Sequence, residues 1–153
     1  MTRLETLINE ATSLGIIVDD SILTSESRLD GLYLHWGKEE LYVILINKYR
    51  SQCVQCSVMA EELGHYHTCV GSAIDQFEIA SVKKEQAGRK MAYQILLPAN
   101  KLRAALCSGS CCLWELSDLF NLPEEFIQDA FSYYRQRGDL SFPAIECHWC
   151  YAV

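Results

Sequence analysis

The sequence predicts an α+β domain, with a small, mostly antiparallel sheet, a central helix and a helical C-terminal part. Three observations carry this. Several segments of the 153-residue chain repeat apolar residues at helical spacing. Two short apolar runs flank a four-residue turn and read as a hairpin. Half the residues are apolar, yet mean hydropathy is only +0.01, so the chain can fill a sizeable core and stay in water. No long linker, repeat or low-complexity tract interrupts it. The expectation is one domain over 1–153, with a core at 1–98, a helical extension at 99–137 and a strand-like tail at 138–153.

The elements follow in order. Residues 2–14 alternate charged and apolar side chains at helical spacing, and a strand-like stretch, Gly15-Ile-Ile-Val, comes next. Strands are expected at 29–36 and 41–46, joined by Gly37-Lys38-Glu39-Glu40. Helices are expected at 50–68 and 77–97, the second closed by Pro98. Shorter helices follow at 99–107, 112–120 and 123–137. Pro123 with Glu124 and Glu125 in the first turn marks the start of the last of these. Residues 140–151 add one or two strands.

Composition excludes some functions. A net charge of -7 argues against nucleic acid as the main partner. The longest apolar run, 41–46, is far too short to cross a membrane. The opening MTRLETLINEA lacks the apolar core of a signal peptide, so a cytoplasmic location is expected.

The most informative stretch lies in the central helix. The zincin motif H-E-x-x-H uses two His as ligands and the Glu after the first as general base. Here that frame reads Glu61-Glu62-Leu63-Gly64-His65, with a carboxylate in the first ligand position. Residues four apart on a helix project about 40° apart, so Glu61 and His65 point the same way. Glu62 lies about 100° round, beside the pair. Met59, Leu63, Tyr66 and Val70 form a separate apolar stripe, while Val54 and Val58 extend the Glu/His face. A helix apolar on both sides of its acidic patch is a buried one, and buried carboxylates need partners. Taken alone, E-E-x-x-H also fits a solvated surface. His67 lies about 200° from His65 and reads as a surface or supporting residue.

A second segment adds weight. On the helix before Pro98, Glu85, Gly88, Ala92 and Leu96 share one face. Gly inside a helix costs about 1 kcal/mol relative to Ala, so Gly88 points to close approach by another backbone. A carboxylate beside small residues suits a third ligand on a crossing helix. Equally, Glu85 could end a solvated Lys83-Lys84-Glu85 run.

These residues, in this order, carry a resemblance. Gly31-Leu-Tyr, Ala60-Glu-Glu-Leu-Gly-His65, Thr68-x-Val-Gly71 and Glu85-x-x-Gly-x-x-Met-Ala92 leading to Leu97-Pro98 resemble the ImmA/IrrE family of zincin-like metallo-endopeptidases. These are associated with phages and mobile elements, and the likeness is to a short clostridial-type branch that carries E-E-L-G-H. It covers nearly the whole chain. Gly88 stands where the pattern has Ala, and Met91 where it has an aromatic. The resemblance implies a metal held by Glu61, His65 and Glu85, with Glu62 as general base. Zinc is the expected ion, and two anionic ligands also suit manganese or another divalent ion. By family analogy the substrate is a helix-turn-helix repressor of phage type. The alternative is a weak or inactive member that binds a protein partner.

Two features remain. Cys53/Cys56 and Cys147/Cys150 have C-x-x-C spacing, which could make a four-thiolate zinc site. Helical context without turn residues favours small apolar core roles for the first pair. Residues 115–127 have the cadence of a helix-turn-helix, but Glu124, Glu125 and Asp129 would repel phosphates on the reading helix. The segment reads as an α-hairpin, with Leu116, Leu119, Phe120, Phe126, Ile127, Ala130, Phe131 and Tyr134 buried.

Overall fold

The computed structural model describes residues 1–36, 39–69, 79–109 and 112–140. It is an α+β protein. Its contacts divide into two compact units, Met1–Ala92 and Tyr93–Val153. The boundary falls inside a helix, short of residue 98 where the sequence reading ends the core.

The first unit opens with α1 (Arg3–Ser13), which starts at a capping box. The Glu5 N–H donates to the Thr2 hydroxyl (3.2 Å), and the Thr2 N–H donates to the Glu5 carboxylate (2.6 Å). Leu7 and Ala11, four apart, are its buried stripe. Gly15 turns the chain out of the helix at a φ of +80°, a conformation that costs glycine no steric strain. The strand therefore begins later than the sequence suggests, as β1 (Ile17–Asp19).

Strands β2 (Gly31–Trp36) and β3 (Leu41–Ile46) form the expected hairpin, pairing antiparallel from Gly31↔Ile46 to Trp36↔Leu41. β1 adds to the other side of β3 in parallel, with Ile17 opposite Val43. The sheet is thus mixed, in the order β1-β3-β2, and its longer ladder is antiparallel. Ile44 and Ile46, two apart on β3, are buried.

The loop between β1 and β2 is tied down by the end of β3. The fully buried Asn47 side-chain amide donates to the carbonyls of Thr24 (3.0 Å) and Leu29 (3.2 Å). Its backbone N–H donates to Asp30 O (2.9 Å), and its Oδ1 accepts from the Tyr49 N–H (3.1 Å). Arg50 Nε sits 2.6 Å from the Asp30 carboxylate, and its Nη2 donates to Ser27 O (3.0 Å). A buried amide with every group satisfied fixes its partners firmly.

Helix α2 (Gln52–Cys69) packs against α1, β2 and β3. Met59, Ala60 and Leu63 have no exposed surface, so it is the central helix the sequence predicts. Helix α3 (Ile79–Leu96) follows and crosses the unit boundary. In the second unit come α4 (Ala99–Cys107), α5 (Leu113–Phe120) and α6 (Glu124–Arg137). The last two pack as the expected α-hairpin, with Leu116, Ile127 and Ala130 fully buried. Leu119 is a correction, because it is 59% exposed. An eight-residue helix in a hairpin buries one stripe, which runs through Leu116 and the half-buried Phe120 and leaves Leu119 on the flank. The strands expected at 140–151, and Cys147 with Cys150, lie outside the described residues except for the buried Leu140.

Candidate active site

A cleft of about 530 Å³ opens in the first unit, between β2 with its preceding residues and helices α2 and α3. It is lined by Leu29, Asp30, Gly31, Leu32, Tyr33, Val58, Glu61, Glu62, His65 and Glu85. All four residues singled out in the sequence face this one space. Glu61, Glu62 and His65 reach it from α2, as their helical spacing predicts, and Glu85 reaches it from α3.

Three glycines set how close the walls stand. A Cβ on Gly31 would run into Val58 Cγ1 and lie 3.1 Å from Leu45 O, so β2 and α2 approach through a position without a side chain. A Cβ on Gly64 would run into the carbonyl oxygen of Gly88. Helices α2 and α3 thus meet backbone to backbone, the close approach that an interior helical glycine at 88 implies. A Cβ on Gly88 would itself lie 2.7 Å from the His65 ring.

The crossing brings donors together. His65 Nε2 lies 3.3 Å from Glu85 Oε2. The other oxygen of Glu85 is 3.2 Å from Arg89 Nε, one turn along α3. Burial lowers the His65 pKa, Arg89 lowers it further, and Glu85 opposes both. The imidazole is therefore held toward its neutral form, the form that binds metals. The Glu62 carboxyl is pushed up to about 7, first by burial and then by the negative charges of Glu61 and Glu85. The backbone N–H of Tyr33, on β2, donates to it and pulls the other way. A carboxyl near 7 is poised to exchange a proton at neutral pH.

The donor chemistry can be tested against a metal. Two donors about 2.0–2.1 Å from a tetrahedral ion stand about 3.3 Å apart, which is the His65–Glu85 separation. Four carboxylates line the cleft, Asp30, Glu61, Glu62 and Glu85, with Glu62 raised by the charges of Glu61 and Glu85, and this acidic pocket is one that a divalent cation would neutralise. Glu61 lines the same cleft. Among the described residues, no three His, Cys, Asp or Glu side chains converge on one cation-sized point. The contact at hand is thus a two-donor one, between His65 and Glu85.

Other predicted residues lie elsewhere. His67 is exposed and its ring meets Tyr66 edge-on at 5.5 Å, in keeping with a surface place. Cys53 is half-buried and Cys56 buried, both as free thiols. Burial raises the Cys56 pKa, which makes it an inert core side chain. Sequence reasoning missed the wall built by Leu29, Asp30 and Tyr33. Gly31 inside a strand was the available signal for that wall. Nothing marks the Tyr33 N–H, since every residue but proline carries one.

The family model for the IrrE N-terminal-like domain, peptidase M78, matches residues 22–132. That span runs from the loop before β2 to within α6 and includes every residue of the cleft. No curated protein and no solved structure matches the chain. No described helix is long and apolar enough to cross a membrane.

Proposed function

Since the chain belongs to the peptidase M78 family of metallopeptidases, whose chemistry implies a divalent metal, usually zinc, we propose that it is a metal-dependent endopeptidase acting on a regulatory protein. In this reading His65 and Glu85 hold the ion, and Glu61, one turn earlier on α2, is the third donor. The observation that carries it is the placing of the half-buried Glu62 carboxyl, pushed up to about 7, in the same cleft as the 3.3 Å His65–Glu85 contact. A bound divalent ion supplies a Lewis acid that polarises the scissile carbonyl and makes water easier to deprotonate.

The residues of the chain do the rest. Glu62 accepts the proton of the attacking water and delivers it to the leaving amine. Tyr33 orients that carboxylate through its backbone N–H. Leu29, Leu32 and Val58 line the cleft with apolar surface. Glu61 in place of a His adds negative charge beside the ion, which weakens it as an acid. Slow turnover is the consequence. The proposed substrate is a helix-turn-helix repressor of phage type.

The test uses a repressor encoded beside the gene of this protein. Purified protein with zinc or manganese should cleave it, and Glu62→Gln should not. Tight binding of the repressor without cleavage by the parent, with either ion, overturns the enzymatic reading in favour of a binding protein.

A further inference from the structure

We propose that Arg89 balances the charge of the ligand set, returning through Glu85 the positive charge that a carboxylate at position 61 takes away. The inference rests on the reading that Glu61, His65 and Glu85 hold the metal.

The two oxygens of Glu85 face different partners. Oε2 lies 3.3 Å from His65 Nε2, and Oε1 lies 3.2 Å from Arg89 Nε. Arg89 stands one helical turn after Glu85 on α3. Its guanidinium therefore takes the oxygen turned away from His65 and leaves the other to an ion. Two imidazoles and a carboxylate around a divalent ion leave one positive charge. With Glu61 in place of an imidazole, that charge is cancelled. The Arg89 guanidinium stays charged at any working pH and restores it. Nothing inside the cleft could do so. Among the described residues, four carboxylates and no lysine or arginine line it. Arg89 touches no reacting atom. It is a positioning residue that acts through Glu85, turning one oxygen toward His65 and sharing the charge of the other.

Magnitudes decide what its removal does. The side chains of Arg89 and Glu85 are 48% and 51% exposed. The pair by itself thus orients the carboxylate weakly, by about a factor of two. A unit charge close to a divalent ion is worth more, up to about 10-fold even through solvent, because the ion's charge is double. The two effects have opposite signs. Lost orientation weakens ion binding, and lost repulsion tightens it. The larger effect wins, so Arg89→Gln should bind zinc more tightly. It should also cleave more slowly, because Glu85 then gives its full charge to the ion and leaves it a weaker Lewis acid. An arginine that only braced the helix or the ligand predicts something else. Its loss would lower affinity and turnover together.

The experiment compares the full-length parent with Arg89→Gln, Arg89→Lys, Glu85→Gln and the double variant of Glu85→Gln with Arg89→Gln. Zinc affinity is read by competition with a chromophoric chelator in low and high salt. Cleavage is read on the repressor encoded beside the gene, and melting is read in low salt with excess chelator. Arg89→Gln should bind zinc about 3–10-fold more tightly in low salt. That gain should shrink in high salt, and Arg89→Lys should stay near the parent. Unchanged or weaker zinc binding in Arg89→Gln overturns the proposal, and so does an equal gain in Arg89→Lys or faster cleavage by Arg89→Gln. A parent that binds zinc without cleaving loses the enzymatic reading alone, and zinc affinity then decides. If the parent binds no zinc, the metal reading fails by itself, and the metal-free melts decide whether Arg89 balances Glu85. Arg89→Gln should then lower the melting temperature of the parent and leave that of Glu85→Gln unchanged. An equal fall in both, or none in the parent, overturns the charge balance.

Discussion

Glu62, the general base of the proposed mechanism, carries a cost in stability. Burial, and then the charges of Glu61 and Glu85, hold its carboxyl near 7 against an ordinary 4.5. A group whose folded pKa is raised contributes stability that is fully present below the unfolded pKa, and that contribution is lost as pH rises through the folded value. Metal-free protein should therefore lose stability between about pH 4.5 and pH 7, by about 3 kcal/mol at most. Thermal melts in chelator at pH 5 and pH 8 check this, since Glu62→Gln should flatten the difference. The same substitution should cut peptide cleavage by about 10²–10⁴-fold, the usual worth of a general base, and leave zinc affinity nearly unchanged. Glu61→His replaces an anionic donor with the imidazole of the usual ligand set. It should tighten zinc binding and raise turnover, both read against the parent under one buffer condition.

At the scale of elements, the cleft exists because side chains are missing at its joints. Gly31 lets β2 lie against α2, and Gly64 lets α2 touch α3. Gly31→Ala would press on Val58 and on the backbone oxygen of Leu45. It should cost about 1–3 kcal/mol, as overpacking of a tight core does, and chemical denaturation would measure it. Much of this was legible in the sequence. The helical frame of Glu61, Glu62 and His65 needs only a 3.6-residue repeat, and Pro98, Pro123 and the hairpin turn fix element ends by local chemistry. Gly88 announced a close contact because a helix interior rarely tolerates glycine without a reason. What stayed illegible was non-local. The parallel pairing of β1 with β3 depends on where the chain goes after Asp19. Leu119 is apolar and at a plausible spacing, yet exposed, because a two-helix hairpin offers it no third surface. The Asn47 amide that clamps the cleft wall is a single polar residue at a strand end, with no pattern to distinguish it from a turn asparagine.

For the whole molecule, the relevant quantity is the coupling of folding to a cation. The chain carries a net charge of -7, and four of its carboxylates share one cleft. An ion that binds the folded cleft and not the unfolded chain stabilises by mass action, about 2.7 kcal/mol at a free concentration of 100 Kd. For a chain of this size that amounts to roughly 5–10 °C in Tm. The ion must also be held where the sequence and the helix crossing agree. A zinc titration followed by calorimetry, run on the chelator-stripped parent beside His65→Ala, Glu85→Gln and Glu62→Gln, tests this most directly. One ion per chain is expected in the parent, with at least about 10-fold weaker binding when His65 or Glu85 is replaced, as loss of a ligand requires, and near-parent binding in Glu62→Gln. No zinc bound by the parent, or parent-like binding by His65→Ala or Glu85→Gln, would contradict it.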